Sequence, residues 1–184
     1  MGKVLPALQP ELESWVLEAA PGAIAYASSL LRDRGMAEDI VQDCFCRLLQ
    51  KASVYNLPRD GRKLLFQAVT NACLNHNSRS RMILSLDAGR TEEDQPLAES
   101  VADRSALPAE RILIHRELEQ AVAEGLARLP VNLRAALELK SLGQSLQEIG
   151  EALGITANHA GVLVHRARQA LARHLAPYME EMTG

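Results

Sequence analysis

Apolar side chains recur every three or four residues along nearly the whole chain, a spacing that gathers them into one stripe on a helix. From Met36 they run Met36, Ile40, Val41, Cys44, Leu48 and Leu49, while Glu38, Asp39, Gln42, Asp43 and Arg47 fall on the other side. No alternation of apolar and polar residues is long enough to make a strand. The spacing therefore predicts an all-α protein. Leu12 to Leu31 reads as two helices broken at Pro21-Gly22, since Gly ends helices and Pro starts them. Asn56-Leu57-Pro58 and Asp60-Gly61 punctuate the chain, and Arg62 to about Ser78 forms a further helix.

The pattern then lapses. Ser85 to Glu110 holds Asp87, Glu92, Glu93, Asp94, Glu99, Asp103 and Glu110 against Arg90 and Arg104, a net charge of −5, with Pro96 and Pro108 and few large apolar residues. Such a segment is a flexible acidic linker. Two small helical domains are expected on either side, at 1–83 and 111–184, with the linker at 84–110. The second holds four helical segments: Arg111–Arg128, Val131–Leu142, Ser145–Leu153 and Ala157–Leu175. Ser145 is placed as an N-cap with Glu148 three residues on, and Gly143 and Gly154 follow helix ends. A short helix, a turn at Gly154-Ile155-Thr156 and a longer helix make the layout of a helix-turn-helix.

In that arrangement the second helix reads DNA. Ala160, Val164, Ala167 and Leu171 share a face that should pack on Ile149 and Leu153. The opposite face presents Asn158, His159, Val162, His165, Arg166, Gln169 and Arg173. Asn pairs with adenine, Arg with guanine or phosphate, and a Val methyl meets thymine methyl groups. The plain alternative is a helical hairpin with a solvated polar face. Overall charge restrains the reading: with 20 Lys+Arg, 23 Asp+Glu and a net −3, the chain is no broad, sequence-independent nucleic-acid binder. A partner must supply part of the affinity.

The stretch LPVNLRAALELKSLGQSLQEIGEALGITANHAGVLVHRARQAL (Leu129–Leu171) resembles region 4 of extracytoplasmic-function sigma factors. The matching features are Leu129-Pro130, Arg134, Glu148-Ile149-Gly150, Gly154-Ile155 and Arg166-Ala167-Arg168. AEDIVQDCFCRLL (Ala37–Leu49) resembles region 2 of the same family, with a weaker match around Asn71. The resemblance implies that Asp39, Gln42 and Asp43, with Arg47 nearby, face the β′ clamp helices of core RNA polymerase. It also implies a contact between region 4 and the β flap, promoter DNA as the ligand, and an anti-sigma protein as an open further partner. The bland alternative for the first cluster is a solvated face with pairs such as Asp43–Arg47, each contributing a few tenths of a kcal/mol.

After Pro58 the resemblance places contact with the promoter's minus-ten element. Arg59, Arg62, Lys63, Arg79 and Arg81 against Asp60 give a local charge of +4 suited to phosphates. Asn71 and Asn75 belong to the same candidate surface, and the helix-turn-helix would take the minus-thirty-five element. Three departures stand out. Phe66 is the only aromatic of that helix, no Trp precedes Asn71, and Asn75 stands where the family usually has Asp. After the turn, Gly161, Val162 and Leu163 replace the Lys, Ser and Arg of many relatives, so isolated DNA binding should be weak and shallow in its salt dependence. The acidic linker could lie against the +4 patch or the Arg166/Arg168/Arg173 end as partial self-inhibition.

Other chemistries find little support. Cys44 and Cys46 point about 200° apart on a helix and cannot readily share a metal. Cys73 and His76 share a face without two further ligands, and Cys44 reads as a buried thiol. No phosphate-cradling loop, HExxH or nucleophile elbow is present, so neither an enzyme, a metal nor a cofactor is expected. The uncharged stretches, Ala19–Leu31, Leu64–Ser78 and Ala152–His165 among them, are too short to span a membrane. The N-terminus lacks a signal peptide's apolar run, so the expected location is the cytoplasm. Two alternatives stay open beside the sigma factor: a sigma-like mimic that binds protein partners without opening promoters, and a stand-alone helix-turn-helix regulator.

Overall fold

The computed structural model describes residues 10–86 and 109–181, with side chains at 10–79 and 116–179. Every described element is a helix, and the fold is all-α. The order is α1 (Pro10–Leu31), α2 (Arg34–Gln50), α3 (Leu57–Leu86), α4 (Ala109–Arg128), α5 (Val131–Ser141), α6 (Leu146–Leu153) and α7 (Ala157–Glu181). None of the described helices is long and apolar enough to cross a membrane.

Helices α1, α2 and α3 pack on one another, and α7 packs on α4, α5 and α6. The α2 stripe is inward as expected, with Val41, Cys44, Phe45 and Leu48 buried. Asp33 caps α2, its carboxylate accepting from the Met36 N–H at 3.0 Å.

Two expected breaks are absent. Pro21 lies inside a continuous α1. Interior proline costs about 3 kcal/mol because it removes an N–H and crowds the carbonyl four residues back. Here that carbonyl belongs to Leu17, which is exposed, as is Pro21. Trp15 before the proline and Ala23, Tyr26, Ala27 and Leu30 after it are buried, so packing on both sides holds the helix together. Asp60-Gly61 likewise sits within α3, which begins at Leu57-Pro58, where a first-turn proline loses nothing. Gly61 is a close-approach residue. A Cβ there would lie 2.7 Å from Trp15 Cε2 and Cζ2, and Trp15 in turn meets Phe45 edge-on at 5.3 Å. The segment holding the expected linker, residues 87–108, lies outside the described residues, and α3 continues three residues past the expected boundary at 83.

The two groups of helices meet along a seam. One buried apolar cluster includes Tyr26, Leu65 and Phe66 from the first group with Leu139, Ile149 and Val164 from the second. α6 lies against α3, and α5 against α1. The buried guanidinium of Arg134 donates to the carbonyl of Ser29 in α1 and to those of Ala127 and Leu129 at the end of α4. Ser29 Oγ donates to Glu138, and Arg32 donates to the Ala127 carbonyl. Arg32 is the sole described non-glycine residue with positive φ, at 58°, a conformation that costs roughly 1–2 kcal/mol. Burial pushes the Glu138 carboxyl up to about 7, against the opposing pull of Ser29 and Arg134.

Gly61→Ala should lower stability by about 1–3 kcal/mol through overpacking against Trp15. Gly22→Ala, whose added Cβ would meet nothing within 4 Å, should raise it by up to about 1 kcal/mol. Urea denaturation of the two variants checks the pair. The raised Glu138 carboxyl sets a sign for pH. Between its ordinary value of 4.5 and about 7, the folded chain holds a proton that the unfolded chain has released. Its contribution is full below 4.5, falls as pH rises to about 7, and is flat above. The stability of wild type relative to Glu138→Gln should therefore fall as pH rises from 4.5 to about 7.

Candidate functional site

On α2, Asp39, Gln42, Asp43 and Arg47 are all exposed. Met36, Asp39, Ile40, Gln42 and Asp43 line an open groove of about 450 Å³. Its floor is partly apolar and its rim carries two carboxylates and an amide, a surface suited to a basic or amide-rich helix. Asp43 pairs with Arg47 at 3.4 Å, but both side chains are more than 70% exposed, so this pair holds neither residue firmly. Asp39 has no ion pair among the described ones.

Helices α6 and α7 form the helix-turn-helix, and its turn is specified residue by residue. Ser145 and Glu148 make a reciprocal capping box at the start of α6. Gly154 ends α6 in the left-handed conformation at φ 68°, which suits glycine. Thr156 Oγ1 then accepts from the His159 N–H at 3.2 Å and opens α7. Ala160, Val164 and Ala167 are buried beside Ile149 and Ala152. Asn158, His159, Val162, His165, Arg166, Gln169 and Arg173 are all exposed on the other side. The seven expected DNA-facing residues therefore form one free surface, with Val162 46% exposed at its centre.

The α3 candidates do not gather in the same way. On a continuous helix, Arg62 and Asn71 are nine residues and so about 180° apart. Asn71, Asn75 and Arg79 are exposed and form a stripe at four-residue steps. Arg62 lies on the other side, donating to the Leu142 carbonyl at 3.0 Å. Lys63 Nζ pairs with Glu151 Oε2 of α6 at 3.0 Å, and that hydrogen bond, ahead of other effects, raises the lysine's pKa. The side chain of Arg81 lies outside the described residues. The +4 patch is thus two separate surfaces, one of them bonded at its surface to the second group of helices through Arg62 and Lys63.

Phe66 is a core residue. It is 2% exposed and meets Tyr26 edge-on at 5.6 Å. Tyr26 in turn hydrogen-bonds Thr70 Oγ1 at 2.8 Å. The accessible aromatic is Tyr55, 38% exposed in the turn between α2 and α3, beside Val54 at 75%. It falls outside any helical stripe, and that misfit in Val54-Tyr55-Asn56 was the signal available in the sequence. The seam residues Ser29 and Glu138 gave no signal, because their partners are 109 residues apart. Cys44 and Cys73 are buried thiols, burial pushing Cys73 up to about 12. Among the described residues, no cluster of three or more His, Cys, Asp or Glu is placed to hold a metal.

Comparison with known proteins matches residues 15–82 to the sigma-70 region 2 family and residues 119–171 to sigma-70 region 4. The ECF RNA polymerase sigma factor SigW of Bacillus subtilis is 30% identical over 142 residues, covering 76% of this chain and 75% of that protein. The ECF RNA polymerase sigma factor SigE of Mycolicibacterium smegmatis is 28% identical over 180 residues. That alignment covers 95% of this chain and 65% of SigE's own length. In fold, the chain resembles the sigma factor RpoE from Bartonella quintana, solved in complex with the anti-sigma factor NepR. The TM-score is 0.69 at 22% identity, over 91% of this chain and 98% of that one.

Proposed function

Because this chain belongs to the ECF RNA polymerase sigma factors, we propose that it binds core RNA polymerase and directs initiation at a defined set of promoters. The observation that carries this is the exposed face of α7, seven polar or small side chains held clear of the core behind a fully capped helix-turn-helix. The α2 groove is the polymerase-docking surface. Asp39, Gln42 and Asp43, with Arg47 at the edge, face the β′ clamp helices. Residues 1–83 then serve as the docking and minus-ten unit, 84–110 as the connection, and 111–184 as the minus-thirty-five unit, steered by the β flap. The chain works as a non-enzymatic subunit in the cytoplasm, where its polymerase is, and an anti-sigma protein is a fitting further partner.

Asn71, Asn75, Arg79 and Arg81 follow the minus-ten strand, with Arg62 and Lys63 adding phosphate contacts. Tyr55 supplies the aromatic platform that strand opening needs. Stacking on it is worth about 1–3 kcal/mol per base. In α7, Asn158, His159, Val162 and His165 lie nearest the base edges, while Arg166, Gln169 and Arg173 run toward the backbone. A near-neutral protein that touches few phosphates binds weakly alone. Polymerase corrects this by presenting both units together, so that the second contact forms at high effective concentration.

Run-off transcription with reconstituted core polymerase tests the whole scheme. Wild type should give a specific transcript, and a protein that binds core without yielding one would be a mimic. Asp39→Lys with Asp43→Lys should cut core binding at least tenfold in a pull-down while leaving helix content unchanged, since both side chains are free of the core. Tyr55→Ala should lose transcription from duplex promoters by about tenfold or more, the equivalent of one lost stack. The same variant should keep its output on templates with a pre-melted minus-ten bubble.

A further inference from the structure

Glycine inside a helix is unfavourable relative to alanine unless backbone conformation or packing calls for it. In the helix-turn-helix, Gly154 has a positive φ, and a Cβ on Gly150 would lie 2.7 Å from the Ile155 carbonyl oxygen. Gly161 meets neither condition. It lies in the second turn of α7 without a positive φ. An added Cβ would meet only Leu146 Cδ1 of α6, at the ordinary contact distance of 3.5 Å. The fold would accept alanine there. What glycine leaves is a bare strip along the α6 edge of the α7 face, with Leu146, 38% exposed, beside it. Neither residue has a side-chain donor for a phosphate.

Next to this strip, Val162 is the one apolar member of the exposed α7 face. Asn158 and Arg166 stand four residues to either side of it, and His159 and His165 three, so all four are its neighbours on the helix surface. They do not fold over it, since Val162 is 46% exposed. A short apolar side chain thus sits at the centre of a frame of longer polar ones. It touches a base only where the helix backbone comes close to the base edges, and the bare strip at Gly161 permits that approach. In the major groove thymine alone presents a methyl group. The other bases present donors or acceptors there, which valine would cover without bonding.

Resting on the assignment of α7 to promoter DNA given above, we propose that Gly161 and Val162 set base specificity in the minus-thirty-five element. Val162 reads the 5-methyl group of one thymine, and Gly161 is the positioning residue that lets α7 approach closely enough for the contact. The hydrogen-bonding side chains around Val162 fix the helix over that base, and the valine excludes the other three.

Selection from duplexes randomised across the minus-thirty-five element, by reconstituted holoenzyme and in parallel by the free full chain, supplies the DNA probes. Each thymine of the selected element is then replaced singly by deoxyuridine, which removes only the methyl group. At one thymine the exchange should weaken wild-type binding about fourfold, the equivalent of about 0.8 kcal/mol for one buried carbon. Val162→Ala should lose that discrimination and keep the preferences at flanking positions. Gly161→Ala should raise the thermal midpoint by about 2–4 °C, yet weaken binding of the thymine duplex by about threefold or more. A glycine with a purely structural role would not give more stability with less affinity. Indifference to deoxyuridine at every position, discrimination that persists in Val162→Ala, or Gly161→Ala binding as tightly as wild type would each overturn the proposal. Enrichment by the free chain alone would remove the polymerase-dependent scheme, with the thymine reading scored on the same duplexes. Enrichment by neither would overturn both.

Discussion

The guanidinium of Arg134 is where both halves of the molecule are tied. It is 6% exposed, with Nη1 and Nη2 bonded and Nε without a partner among the described residues, so its burial depends on the carbonyls around the two Nη groups. The carbonyls that satisfy it come from the end of α4, the Leu129-Pro130 turn and the end of α1. One side chain therefore closes the α4–α5 corner, sets how α5 enters the helix-turn-helix, and docks that unit on α1. Removing it would leave buried carbonyls without a donor, at about 1–3 kcal/mol for each one that water cannot reach. Burial and the nearby Arg32 both push the guanidinium's pKa down. The cation is held by dipoles and one partly buried carboxyl, with no full counter-charge bonded to it.

From that tie the functional surfaces follow by packing. With α5 fixed, the α6 cap and the Gly154 turn orient α7 so that its alanine and valine face lies inward and its polar face outward. With α1 fixed, Trp15 fills the space above Gly61 and sets where α3 begins. The turn before it then holds Tyr55 out in solvent. The α2 groove depends least on these long-range contacts, since all the residues lining it belong to one helix.

Charge takes a particular form here. A net −3 would be a poor start for a protein that met DNA alone, because counterion release from phosphates supplies most non-specific affinity. The cations that remain are divided: Arg62 and Lys63 are spent within the chain, while Arg79, Arg166 and Arg173 stay exposed.

The three-to-four apolar spacing determined the helical class, the inward stripes of α2 and α7, and the helix-turn-helix with its caps. Each depends on residues within a few positions of one another, where local geometry leaves little choice. The Asp39–Gln42–Asp43 face and the seven exposed residues of α7 were legible for the same reason. Pro21 and Gly61 misled because their usual local roles were outweighed by packing from Trp15 and the buried flank of α1. Phe66 gave no local sign of whether it faced Tyr26 or a base. What only the tertiary structure decided is the seam: which side of α3 is covered, and that Ser29 meets Glu138 across 109 residues. Such contacts are set by how preformed helices stack, through many weak apolar contacts and a few shared carbonyls, and no spacing along the chain encodes them.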